Sequence, residues 1–187
     1  PMHIVTRVAS TAPVALNPNA RSAIEYYYEE AKLQAAGRGM LGFARLKTVD
    51  VDTKVATTTM YRQDFPYIGQ PHATLKQQAD GTLMSIAVNE WRLAGWNGSG
   101  TAPKPYRPYL YRSIEKQYDL DGSETTTATT TNGAEPDTWG NVVSTTVRTE
   151  GAGEWFEKTT SNQYGTTDDE KRLGRLSSTT VAHSSST

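Results

Sequence analysis

The chain has 187 residues, with 19 Lys and Arg against 20 Asp and Glu, 15 Gly, 9 Pro, no Cys and 36% hydrophobic residues. That length is one domain's worth with room for a self-sufficient core, and the lack of Cys excludes disulfide frameworks, thiolate zinc sites, iron–sulfur clusters and cysteine nucleophiles. Residues 1–100 carry net +2 and residues 101–187 net −3, without the basic surplus that nucleic-acid binding requires, and no apolar run reaches a membrane helix of roughly 20 residues.

In chain order, Pro1-Met2-His3-Ile4-Val5 lacks the basic start and apolar stretch of a signal peptide, so an export signal is expected outside this chain. Pro1 ahead of Met2 points to a piece of something longer. A first strand is expected near Ile4–Val8. Residues 23–34 carry the helix-favouring set Glu29, Glu30, Ala31, Lys32 and Leu33, but Tyr26-Tyr27-Tyr28 pulls them toward strand. Gly37-Arg38-Gly39-Met40-Leu41-Gly42 matches a dinucleotide fingerprint in form, yet Phe43 to Val49 alternates like a strand where that fingerprint needs a helix. It reads as a Gly-rich turn.

Period-two segments follow at 40–49 and 54–63, separated by Asp50-Val51-Asp52-Thr53. A hairpin is expected over 73–92, where Asp80-Gly81 supplies the positive φ of a tight turn. Gly95 to Pro105 holds too much Gly and Pro for a ladder, so residues 95–108 read as a loop between an N-terminal hairpin region at 1–94 and further hairpins at 109–187. A loop within one continuous array is preferred to a linker. Strands are expected at 109–120, 123–131, 142–149, 155–164 and 176–182, with turns at Asp121-Gly122, Asn132-Gly133, Trp139-Gly140-Asn141, Gly151-Ala152-Gly153 and Gly174. Of 27 Thr, 17 lie in the last 67 residues, and a residue stiff at χ1 suits a pleated surface. The expected fold is all-β, an array of antiparallel hairpins with little or no helix.

Asp119-Leu120-Asp121-Gly122-Ser123 has the opening of a calcium loop, but the twelfth position is Thr130 where a bidentate Glu belongs, so it reads as a hairpin turn. His3, His72 and His183 stand at no metal-ligand spacing and no nucleophile elbow accompanies them. No cofactor, metal or catalytic residue is assigned. An enzymatic reading would need acids such as Asp64, Glu90, Glu115 and Glu157 to converge in space. Trp91, Trp96, Tyr106, Tyr109 and Tyr111 cluster around the Gly/Pro loop and are candidate contacts for a sugar or a protein partner; the plainer alternative is that they cover the sheet as cross-strand pairs.

Three strings, Tyr26-Tyr27-Tyr28-Glu29, Gly37 to Phe43, and Tyr61-Arg62-Gln63-Asp64-Phe65-Pro66-Tyr67-Ile68-Gly69, together resemble the Rhs/YD-repeat superfamily. The likeness is to the region after the N-terminal propeller in insecticidal toxin-complex B components and SpvB-like proteins. Tyr118-Asp119-Leu120-Asp121-Gly122 is similar to a YD-repeat core, and residues 173–180 to its closing strand. Pro136-Asp137-Thr138-Trp139-Gly140-Asn141 departs from the repeat, as does the charged tract 166–171. The resemblance implies hairpins winding as a curved sheet into a secreted or cell-surface shell around a C-terminal toxic domain. This chain would be non-catalytic wall, partnered by the rest of its parent protein and the enclosed toxin. A carbohydrate- or protein-binding β-domain is the alternative. A piece of such a sheet is expected to keep open edges near residues 4–8 and 176–182, inviting edge-to-edge association.

Overall fold

A computed structural model describes residues 3–95, 99–101, 104–133, 135–165 and 174–186. Eleven strands run β1 (Arg7–Thr11), β2 (Arg21–Gln34), β3 (Gly39–Asp50), β4 (Ala56–Tyr61), β5 (Pro71–Gln77), β6 (Leu83–Leu93), β7 (Pro108–Tyr118), β8 (Glu124–Thr131), β9 (Ser144–Gly151), β10 (Glu154–Tyr164) and β11 (Leu176–Ser185). Each pairs with its sequence neighbours, so sheet order is chain order, and the all-β hairpin architecture expected from the sequence is the observed one. Residues 21–34, where helix and strand propensities competed, are strand.

Two compact units share these strands, one running to Ile86 together with Tyr118–Ser123, the other comprising Ala87–Gln117 and Glu124 onward. In the first, β2 pairs β3 from Ile24↔Asp50 to Ala31↔Phe43 and then slips by one residue to Leu33↔Met40. The slip has a local cause: Leu41 and Gly42 on β3 stand opposite the single residue Lys32 on β2, and Gly42 takes the φ of +90° that such a bulge needs. The Gly-rich string is therefore a turn and a bulge between two strands. In the second unit, β8, β9 and β10 pair in unbroken register, β10 pairs β11 with one shift at Gln163/Tyr164, and Thr131, Thr146 and Thr159 stand in one row, with the Thr146 and Thr159 hydroxyls 2.9 Å apart.

The turns repeat one chemistry. At 78–82, 119–123 and 137–141 the first residue's N–H donates to the fifth carbonyl and the Gly N–H in fourth place donates to the first carbonyl, at 2.8–3.0 Å. With Gly81, Gly122 and Gly140 at φ +85° to +91°, each is a type I turn closed by a Gly bulge. Asp119-Leu120-Asp121-Gly122-Ser123 is such a turn, with the Asp121 carboxylate accepting from the Ser123 N–H at 2.8 Å. Because the strands are Thr-rich, the buried apolar set is thin: Ala23, Leu41, Ala56, Tyr67, Ala73, Leu93 and Ala94, with no buried polar or charged residue among those described. Side-by-side pairing rather than a thick core carries this fold.

Candidate functional site

The sequence placed its candidate contacts around the 95–108 loop. Trp91 lies on β6, Tyr106 just before β7, and Tyr109 and Tyr111 on β7, all half-buried; Trp96 lies outside the described residues. Arg92 covers Tyr111, its guanidinium carbon 3.3 Å from the ring centroid, so one face of that ring is occupied. Glu90 orients Arg92 through bonds of 2.9 and 2.7 Å from Nε and a terminal nitrogen to Oε1, while its Oε2 takes Arg112 at 3.2 Å. Burial first, then the Glu135 carboxylate, raises the Tyr109 pKa above the ordinary phenol value. Glu135 itself accepts from the Gly95 N–H at 2.8 Å and so holds the start of the loop. Beside it a cleft of about 350 Å³ is lined, among the described residues, by Ala94, Gly95, Lys104, Pro105, Arg107 and Thr138; Trp91, Tyr106, Tyr109 and Tyr111 are not among them.

The carboxylates behave as clamps. Asp64 is bonded to Arg62, which holds its pKa below the usual carboxylate range, and Glu90 is shared by two guanidiniums. Glu115 sits on β7 and Glu157 on β10. The displaced carboxylates Asp50, Asp64, Asp80, Asp121, Glu124 and Asp137 all move downward, each led by a hydrogen bond to a neighbouring side chain or backbone. Asp137 accepts from the Trp139 and Asn141 N–H groups and from the Asn141 amide, each at 2.9 Å, and Asp50 likewise takes three, from the Asp52 and Thr53 N–H groups and the Thr53 hydroxyl. Among the described residues no group of three or more His, Asp or Glu is placed to hold a metal ion.

The strings behind the family resemblance meet in space. Residues 62–70 fold back on themselves, with Arg62 N–H to Gln70 O and Gly69 N–H to Arg62 O both at 2.9 Å. That loop carries Gln63 onto the bulge between β2 and β3, where its amide nitrogen donates to the Glu30 carbonyl at 2.8 Å and the Gly42 carbonyl at 2.9 Å. Arg38 from the Gly-rich turn stacks 3.7 Å over Phe65, and Arg62 stacks 4.0 Å over Tyr67. A cleft of about 240 Å³ lined by Lys32, Arg38, Leu41, Gln63 and Phe65 adjoins the contact.

Sequence reasoning missed two asparagines that do the same work twice. Asn132 donates its N–H to Tyr111 O at 2.8 Å and its amide to Leu110 O at 2.6 Å, and its side-chain oxygen accepts from Thr145 at 2.9 Å. Asn162 repeats the set with Val143 O, Val142 O and Thr179. The available signal was an Asn inside the Trp155–Tyr164 strand, where Asn is ordinarily depleted.

No protein-family model and no curated protein matches this sequence. Solved structures do match. A TcdB2–TccC3–Cdc42 structure superposes with TM-score 0.72 over 88% of this chain at 8% identity. The Photorhabdus luminescens Tc holotoxin pore gives 0.72 over 88% at 8% identity, and TcdB2–TccC3 without its hypervariable C-terminal region gives 0.71 over 88% at 9%. In each case the match spans 12% of the larger chain. The chain therefore has the fold of a short stretch of these toxin-complex structures.

Proposed function

We propose that this chain is a non-catalytic wall segment of a bacterial toxin-enclosing shell of the Rhs/YD-repeat kind, working outside the cell that makes it. Its partners are the rest of its parent protein and an enclosed toxic domain. The observation that carries this reading is the likeness to toxin-complex structures over 88% of the chain at TM-scores of about 0.7. The joining of the resemblance strings supports it too, with Gln63 bonded to Gly42, Arg38 over Phe65 and the Tyr28 ring 4.9 Å from that of Phe43, because those residues serve the geometry of the sheet.

The test is expression of the complete reading frame that encodes this chain, followed by electron microscopy and limited proteolysis. A hollow particle with this segment in its wall and a protease-protected domain inside is the expected result. A solid particle, or glycan-array binding that Trp96→Ala abolishes, would overturn it in favour of a binding domain.

A further inference from the structure

The β2–β3 hairpin closes at Gln34↔Gly39, and the turn between them carries Arg38. The loop at 62–70 brings Phe65 against that turn, so the Arg38 guanidinium carbon stands 3.7 Å from the ring centroid. Stacking occupies one face of a guanidinium and leaves its N–H donors, which lie in the plane, free to bond outward. The acids nearby are engaged elsewhere: Glu29 and Glu30 with Arg45, and Asp64 with Arg62. Asp64 also feels the charge of Lys32, but both its oxygens are bonded to Arg62. Among the described residues Lys32 and Arg38 form no ion pair.

Both cations line the cleft of about 240 Å³ at this end of the hairpin. Gln63 and Asp64, already bonded, form part of its wall, and Leu33, Leu41, Phe65 and Ile68 make the rest apolar. The cleft also borders an acceptor without a donor: Gln34 lines it, and the Gln34 Oε1 is shut off from solvent with no hydrogen-bond partner among the described residues. A buried acceptor left unpaired destabilises a fold, so this amide is a polar group that the chain itself does not satisfy. The last torsion of a Gln side chain is broad, and a turn about it brings the oxygen to the cleft. Every residue of this set lies between positions 32 and 68, inside one compact unit.

The geometry points to a binding site for an apolar α-amino acid unit: a carboxylate, an N–H on the adjacent carbon and a short apolar side chain. The carboxylate takes the in-plane donors of Arg38 and the ammonium of Lys32, the N–H donates to Gln34 Oε1, and the side chain lies against Leu33 and Ile68. Size follows from volume, because about 240 Å³ is below the roughly 300–1,000 Å³ of drug-sized sites and suits a single residue. A bare inorganic anion would leave the apolar walls and the acceptor unused. Free amino acids and the C-terminal residue of a peptide share this chemistry. The inference stands on the hairpin end and the 62–70 loop and does not depend on the toxin-complex reading.

Titration calorimetry on the intact chain tests it. At least one of L-leucine and N-acetyl-L-leucine should bind saturably with a dissociation constant of about 1 mM or tighter. The tighter of the two names the source, free amino acid or peptide end. Acetate, which lacks the N–H and the side chain, and L-leucinamide, which lacks the carboxylate, should bind at least tenfold more weakly. Gln34→Leu should weaken binding of the preferred compound at least tenfold while leaving the circular dichroism unchanged and the thermal midpoint equal or higher. Arg38→Gln should weaken it by at least as much, and Arg38→Lys, which keeps the charge without the planar donors, should restore only part. Lys32→Gln repeats the charge test without disturbing the stack on Phe65. No saturable binding of either leucine compound, equal affinity for acetate, or binding indifferent to both Arg38→Gln and Lys32→Gln overturns the proposal, whatever the particle imaging shows.

Discussion

At the residue scale, Gln63 carries the most structure for its size. Its amide bridges the Glu30 and Gly42 carbonyls, at 2.8 and 2.9 Å, across the bulge that shifts the β2–β3 register. Removing it leaves two carbonyls short of a donor, one of them part-buried. Gln63→Ala should lower unfolding free energy by about 1–2 kcal/mol in a urea titration. Gln63→Glu should lower it further at neutral pH, because a carboxylate would face two carbonyl oxygens. Equal stability of the alanine variant and the wild type would show that the bulge holds without its clamp. The sequence placed Gln63 within a specific string but gave no hint of its contact, since Glu30 and Gly42 reach it only through pairing of β2 with β3.

At the element scale, the β9–β10 hairpin shows how turn chemistry and close approach separate. Gly151↔Glu154 closes a two-residue turn in which Ala152 has φ +53° and Gly153 φ +81°, the type I′ pattern. Alanine is a poor residue for a left-handed first position and asparagine a good one. Ala152→Asn should therefore raise stability by about 0.5–1 kcal/mol, read as a higher thermal midpoint. Gly151 is required for a different reason: a Cβ there would lie 2.8 Å from the Thr125 carbonyl oxygen. Gly151→Ala should cost about 1–3 kcal/mol by pushing β9 from β8, whereas a gain would show that the two strands have room to part. The sequence marked Gly151-Ala152-Gly153 as a turn; which glycine serves φ and which serves space depends on β8.

At the scale of the whole molecule, stability rests on ladders, a thin alanine-rich core and many carboxylate clamps. Asp50, Asp64, Asp80, Asp121, Glu124 and Asp137 all have folded-state pKa values below their ordinary ones. A depressed carboxylate binds protons more weakly folded than unfolded, so its stabilisation is fully present above the unfolded value of about 4 and is lost as pH falls through the lower folded value. Urea midpoints should be flat from about pH 5 to 7 with respect to these groups and fall steadily below about pH 4. Asp137→Asn should shallow that acid slope. A midpoint insensitive to pH between 4 and 2 would mean the clamps carry no net stabilisation.

What the sequence determined is what local chemistry controls. Period-two Thr-rich segments make strands, and a Gly in fourth place closes a type I turn, so strand order, turn sites and the all-β class follow from short-range pattern, including at residues 21–34 once the tyrosines outweigh the helix formers. Tertiary pairing decided the rest. Asn132 and Asn162 become clamps only when strands distant in sequence bring carbonyls and a Thr hydroxyl to them. Arg92 reaches Tyr111 only because β6 lies beside β7. The physical reason is range: φ, ψ and side-chain alternation are set within a few residues, whereas a hydrogen bond between distant positions exists only after register is fixed.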